Sequence, residues 1–314
     1  MQKALTTADP GRVLLARQLP LPTKSVGVAS LESGAVSKYI FAGGKEGKSR
    51  LDLQSAAHRP FTLDLFSTLG VRPGWRCLDV GSGGGQVTTD LARIVAPSGV
   101  AVGIDLDDVI VDLARKEAAA QGVGNVDFRA GAAEELDEGG FDLAYTRLLL
   151  DVVSDPHAVL SKMVSAVIQN GVVIAEEPEM MSCFCYPPND AFRHWIEWFR
   201  ETMRRRGGDP DIGPRLPLLF RSAGLDDIGL RIVHLAWLEG QEKWLHWMAM
   251  GEVRDAVIGE GVATPSEYDD AREEIRTLAE DRSTIVAGAR IFQVWGYQRG
   301  ETDGSAPGSA ASSP

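Results

Sequence analysis

One stretch constrains this chain more than any other: Leu78-Asp79-Val80-Gly81-Ser82-Gly83-Gly84-Gly85-Gln86. A short apolar run, Arg76 to Val80, stops at glycines, and Val87, Leu91, Ile94 and Val95 then recur at helical spacing. The pattern is a strand that turns sharply into a helix. Glycines in such a turn permit positive φ and let the backbone approach a ligand with no side chain in the way. In open α/β sheets ligands bind in the crevice outside the carboxyl ends of the strands, where this loop would lie.

Strand and helix patterns alternate on either side of it. Val100 to Ile104 is a second buried strand ending at Asp105, and Asp107-Asp108 can cap a helix carrying Ile110, Leu113, Ala114 and Ala118, which Gly122 can end. Val126 to Phe128 and Phe141 to Tyr145 are further strands. Asp155-Pro156 supplies a cap and a first-turn proline to a helix over Val159, Leu160, Met163 and Val164, which Asn170-Gly171 can end before a fifth strand, Val172 to Ala175. Residues 190–206 and 214–223 read as helices, 226–238 as a strand, 240–284 as helical, and Ile291 to Tyr297 as a last strand. Crossovers of this length predict an α/β fold, a doubly wound, mostly parallel seven-stranded sheet closed by two late strands. The expected organisation is a flexible arm at 1–25, a helical element at 26–70, a sheet core at 71–180, a helical cover at 181–285 containing the strand at 226–238, the last strand within 286–300, and a disordered tail at 301–314.

Two ligand classes use a glycine loop with an acid at the end of the next strand, where Asp105 can accept from both ribose hydroxyls: dinucleotides and S-adenosylmethionine. The dinucleotide pattern needs a glycine at the sixth position counted from Gly81, and that residue is Gln86. The observed spacing is Asp79-x-Gly81-x-Gly83-x-Gly85, and an acid opening the motif suits an ammonium and a sulfonium better than a pyrophosphate.

On these residues the sequence resembles the class I S-adenosylmethionine-dependent methyltransferases, over roughly residues 37–235 and the last strand, within the small-molecule branch near the ubiquinone/menaquinone and sterol-type enzymes. The resemblance implies a Rossmann-like core in which Gly81, Gly83 and Gly85 lie under the methionine part of the cofactor with Asp79 nearby, Asp105 holds the ribose, and Leu106 packs on the adenine. Ala130-Gly131-Ala132-Ala133-Glu134-Glu135-Leu136 is similar to the family's Gly-Asp-Ala-Glu-x-Leu stretch, with Ala132 where the family has an acid, so backbone groups of Ala132 and Ala133 are left to meet the adenine. Arg147 falls where the family lines the methionine end of its pocket. Tyr39-Ile40-Phe41-Ala42-Gly43-Gly44, followed by Arg50-Leu51 and Gln54, resembles an N-terminal element that folds over cofactor and substrate, and Tyr39 is equally well a core contact of an extra helix.

Methyl transfer from a sulfonium is an in-line displacement in which the protein supplies positioning, desolvation and, for a protic acceptor, a base. Glu176 and Glu177 end the fifth strand at the edge where an acceptor would sit, and one of them is the leading candidate for base or orienting group. Of the histidines, His194 and His246 lie in the later, tryptophan-rich half within reach of a substrate, whereas His157, in a helix's first turn, reads as structural and His234, in a strand pattern, as a satisfied core histidine. Five of the chain's seven tryptophans, Trp195, Trp198, Trp237, Trp244 and Trp247, fall between residues 190 and 250. They are core of a helical cover, or a subset such as Trp195 and Trp198 lines an apolar cavity for an aromatic or isoprenoid substrate.

The net charge of −12 argues against a nucleic-acid partner, which needs a basic face. The run Arg204-Arg205-Arg206 reads as a solvated helix end. Apolar runs stay short of the roughly 20 residues that span a bilayer, and a cytoplasmic protein without a membrane partner is the default. Three cysteines, Cys77, Cys183 and Cys185, lack both a disulfide framework and Cys-x-x-Cys spacing, and the fourth strand ends Tyr145-Thr146-Arg147 rather than in an acidic cluster, so no metal is expected. The function expected is methylation of a small, aromatic or apolar metabolite at carbon, oxygen or nitrogen, with a place in specialised metabolism and a homo-oligomer left open. A non-catalytic cofactor-binding scaffold and, less favoured, a nicotinamide-dependent oxidoreductase are the alternatives.

Overall fold

The computed structural model describes residues 44–299; the arm at 1–25, Tyr39 with its neighbours to Gly43, and the tail at 301–314 lie outside the described residues. The chain enters as a long helix, α1 (Gly44–Thr68), and then lays down β1 (Arg76–Val80), α2 (Gln86–Val95), β2 (Val100–Asp105), α3 (Asp108–Ala120), β3 (Val126–Ala130), β4 (Phe141–Arg147), α4 (Pro156–Ala166) and β5 (Val167–Glu179). These five strands run parallel in the order β3-β2-β1-β4-β5. The order reverses between β1 and β4, which opens the crevice at the carboxyl ends of those two strands.

Local chemistry accounts for the boundaries. Asp107 caps α3 by accepting from the backbone N–H of Val109 and Ile110, and Asp155 caps α4 by accepting from Ala158, with Pro156 in the first turn. Gly122, at φ +71°, closes α3 in the left-handed region. The α4 helix ends earlier than Asn170-Gly171 suggests: Val167 already pairs with Phe141, and a bulge carries the strand past Asn170 at φ +63°. Its terminus is set by that strand pairing rather than by the local stop signal.

Alternation along the strands feeds two cores. Leu78, Val102 and Ala144 face one side with α4, while Cys77, Ala101 and Leu143 face the other with α2 and the second half of α1 (Leu65, Phe66).

The second half adds β6 (Phe184–Tyr186), α5 (Asp190–Arg205), α6 (Leu216–Ser222), β7 (Asp226–Trp237), α7 (Leu245–Gly259), α8 (Pro265–Glu280) and β8 (Ile285–Tyr297). β8 lies antiparallel to β5 on one side and to β7 on the other. The sheet has eight strands, not seven. The extra one, β6, is too short to show a period, and it pairs with Ile285, Val286 and Ala287, a stretch of β8 that precedes the expected start at Ile291. α5, α7 and α8 pack into a third core around Trp195, Phe199, Met250, Val257, Tyr268 and Ile275. Among the described residues no helix is long and apolar enough to cross a membrane.

Candidate active site

The loop after β1 folds as its glycines require. Gly81, Gly83 and Gly85 all have positive φ (+73°, +51° and +77°). A Cβ on Gly85 would lie 2.5 Å from Phe128 Cζ, and one on Gly81 would lie 3.1 Å from Leu149, so these two glycines serve close packing beneath the loop. A Cβ on Gly83 would meet nothing within 4 Å. Gly83 therefore borders open space, and its N–H donates to Asp105 Oδ2 at 2.8 Å.

Asp105 ends β2 with its other oxygen accepting from the N–H of Asp107 at 3.0 Å, and burial pushes its carboxyl above the ordinary range. Beside it Leu106 is 78% exposed and Val109 49% exposed, an uncovered apolar step next to a ribose-type acceptor. The turn after β3 comes to the same place: Gly131 donates its N–H to the Asp105 carbonyl at 2.9 Å, which brings half-buried Ala132 and Ala133 alongside. The residues expected at the ribose and adenine are thus together.

Asp79 is buried, accepts from Thr88 Oγ1 at 2.6 Å, and so anchors the first turn of α2. Burial pushes it up to about 6, with Arg147 pulling the other way. Arg147, at the end of β4, is sandwiched against α1, donating to Ser55 Oγ at 2.9 Å and to Thr62 Oγ1 at 3.4 Å. Thr62 in turn donates to Glu176 Oε2 at 3.1 Å. Glu176 Oε1 and the Tyr145 hydroxyl are buried at this spot with no hydrogen-bond partner among the described residues. Burial raises the Glu176 carboxyl, with Arg147 opposing.

Glu177 stands elsewhere. Successive residues of a strand point to opposite faces. Its carboxylate accepts the backbone N–H of Leu149 and Leu150 at 3.1 and 2.9 Å and of Asp151 at 3.3 Å, bracing the loop after β4. It does not share a face with Glu176.

The cover residues expected to reach a substrate are placed in packing positions. Trp195 is fully buried, and its Nε1–H donates to His246 Nδ1 at 3.1 Å. With Nδ1 accepting, Nε2 carries the proton and donates to the Ala287 carbonyl at 3.2 Å, so both ring nitrogens of His246 are used. His194 stacks on Trp198 at 5.8 Å, and Trp198 stacks on Tyr268 of α8 at 5.8 Å. Neither His194 nor Trp198 makes a described contact with the glycine loop, Asp105 or Glu176. His234 is exposed on β7 rather than in the core, its Nε2 hydrogen-bonded to the Gly288 carbonyl at 3.0 Å. The three arginines at the end of α5 are paired with Asp211, Glu201 and Glu260. Cys183 and Cys185 instead line, with Met181, Phe184, Phe192 and Ile196, a cleft of about 590 Å³ between α5 and the segment after β5.

The organising element is α1. Residues 55, 58 and 62 share one helix face, and that face meets Arg147. The helix is pinned by Arg59 to Asp90 (2.6 Å), by Lys48 to Glu117 (2.9 Å), by Asp52 to Gln86 and by Arg50 to Glu252 of α7 (2.9 Å). Arg50 also donates to Gln54. His58, buried on this face, went unnoticed in the sequence because a lone histidine in a polar helix has no distinguishing spacing.

Residues 72–249 match the family model described as "Methyltransferase domain". The chain is 33% identical over 245 residues to nocamycin O-methyltransferase of Saccharothrix syringae, covering 77% of this chain and 75% of that one. It is 34% identical over 121 residues to a ubiquinone biosynthesis O-methyltransferase of Maricaulis maris, covering 37% of this chain and 46% of that one. The chain thus spans about half the length of some curated relatives it matches. Its fold is shared with the YcgJ protein of Bacillus subtilis at a TM-score of 0.52 and 20% identity, covering 77% of this chain and 99% of that one.

Proposed function

The chain belongs to the methyltransferase domain family, and from that premise we propose that it transfers a methyl group from S-adenosylmethionine to a small, aromatic or apolar metabolite. The observation that carries this reading is the open space over Gly83, bounded by the Asp105 carboxylate and the uncovered Leu106. A carboxylate beside an exposed apolar step fits a ribose and its adenine. A loop of positive-φ glycines lets the backbone approach the amino-acid end with no side chain in the way.

Bound there, S-adenosylmethionine supplies an electrophilic methyl group on a sulfonium. The protein's share is binding and orientation. Asp105 accepts from the ribose hydroxyls, Leu106 and Val109 cover one adenine face, and the backbone of Ala132 and Ala133 meets its edge. Gly81 to Gly85, Asp79 and Arg147 receive the methionine end. Asp79 and Arg147 lie in each other's field, so the pocket presents both signs of charge to a group that carries an ammonium and a carboxylate. Glu176 supports this end as the buried counter-charge of Arg147. α1 closes over the crevice and keeps water from the reacting atoms. A hydroxyl acceptor is supported by the Saccharothrix relative, an O-methyltransferase by name.

Calorimetric titration with S-adenosylhomocysteine tests the cofactor site. Micromolar binding by the parent, lost in Asp105→Ala, is the expected result, and acceptors are then screened for a mass gain of one methylene. A parent that binds no S-adenosylhomocysteine, after checking that none co-purified, overturns the reading.

A further inference from the structure

His58 stands on α1 one turn from Ser55 and one turn from Thr62, the two hydroxyls that hold Arg147. Its Nδ1 lies 2.9 Å from the Gln54 carbonyl oxygen, a group that only accepts, so Nδ1 carries the hydrogen and donates it. The neutral ring then has its lone pair on Nε2. No described residue hydrogen-bonds Nε2, although the residue is only 8% exposed. A largely buried imidazole locked in one tautomer, with no partner for its acceptor nitrogen among the described residues, is a site open to a donor from a ligand.

We propose that His58 Nε2 is the proton acceptor for a hydroxyl substrate, which makes the acceptor atom of this enzyme an oxygen. The proposal rests on the methyltransferase reading above. The acceptor oxygen bonds to the methyl carbon as the carbon–sulfur bond breaks, its electron pair remaining on sulfur. The O–H bond breaks with its electrons staying on oxygen, and the proton passes to Nε2. One positive charge is lost at sulfur and one gained at the imidazolium, so the net charge of the pocket is unchanged.

The surroundings suit this role. Burial and the nearby Arg147 hold the imidazole down to about 4, so it is uncharged and ready to accept at neutral pH. The Gln54 carbonyl accepting from Nδ1–H steadies the imidazolium once formed, as an orienting acceptor does for a catalytic histidine. Glu176 is joined to the same helix face through Thr62. Glu176 itself is less suited to the task, because Thr62 already occupies one of its oxygens and Arg147 its field.

The test uses the full chain loaded with S-adenosylhomocysteine and labelled with ¹⁵N at histidine, with phenol and anisole at millimolar concentration as probes. The expected spectrum shows His58 protonated at Nδ1 and bare at Nε2. Phenol should shift the Nε2 resonance and anisole, which has no donor, should not. His58→Gln should bind S-adenosylhomocysteine within twofold of the parent and lose the discrimination between the probes. A proton on Nε2, or a signal that phenol leaves unmoved or that both probes move alike, overturns the proposal. Failure of the loaded complex to form at all is a different result, and it overturns the cofactor reading instead.

Discussion

Glu176 and Glu177 are neighbours on β5, yet their carboxylates serve opposite sides of the sheet. Glu176 takes a hydrogen bond from Thr62 of α1 at 3.1 Å, and Glu177 takes the N–H groups of Leu149 and Leu150 in the loop after β4 at 3.1 and 2.9 Å. The side chain of Leu149 packs under Gly81, so Glu177 shapes the glycine loop from below without reaching its ligand face. Glu177→Ala strands buried backbone donors and should cost on the order of 3 kcal/mol in urea unfolding. Glu177→Gln keeps an acceptor and should cost less. Folded Glu177→Gln protein should still bind S-adenosylhomocysteine; a stable variant that binds none would place Glu177 in the site.

Asp151 and Glu177 give the fold a pH dependence of unusual sign. Burial, with Asp209 adding to the field, pushes Asp151 up to about 7 from an ordinary 3.8, against the opposing effect of its hydrogen bond with Glu177. The folded chain thus holds a proton that the unfolded chain releases, and stability falls as pH rises through that window. His58 and His246, both held down to about 4 from 6.5, act in the opposite sense, because the unfolded chain binds protons they refuse. Asp151→Asn deletes the Asp151 contribution and lightens the field on Glu177, leaving the two histidines as they were. Between pH 4 and 7 its unfolding free energy should climb with pH more steeply than the parent's; parallel curves would show that the pair shares no proton.

The sheet was legible because its signals are local. Capping acids at Asp107 and Asp155, a terminating Gly122 and continuous apolar strands each mark an element without reference to the rest of the chain. The glycine loop and Asp105 were legible for the same reason. β6 was not, since three residues acquire strand geometry only from their pairing with β8. The helical half leaves two readings of its tryptophans open on similar grounds. Trp195 and His246 sit at positions that a sequence cannot tell from pocket walls, and what distinguishes them is a mutual hydrogen bond across 51 residues. His58 acquires its meaning only when α1 is laid against Arg147.

His246 is a packing brace by its bonds, and its removal should show that. His246→Leu leaves the Trp195 Nε1–H and the Ala287 carbonyl buried without partners, a loss of about 3 kcal/mol. The variant should also be less sensitive to acid below pH 6.5, having lost one of the groups that must be charged on unfolding. Affinity for S-adenosylhomocysteine, measured on folded protein, should equal the parent's. A stable variant with weakened binding would return His246 to the substrate pocket.

Gly83 and Gly85 are two residues apart, both left-handed, and should fail in different ways when changed to alanine. At Gly85 the new methyl would lie 2.5 Å from Phe128 and 2.9 Å from Ala114, both buried, so the loop cannot close over α3 and β3 without displacement. Overpacking and the left-handed backbone together should cost about 3 kcal/mol, read as a lower midpoint in urea. At Gly83 the methyl enters empty space, and the fold should lose only about 1 kcal/mol from the positive φ. That space is where the cofactor is placed, so Gly83→Ala should bind S-adenosylhomocysteine at least tenfold more weakly while unfolding almost as the parent does. Unchanged affinity in a folded Gly83→Ala protein would mean that the ligand does not approach the loop from this side.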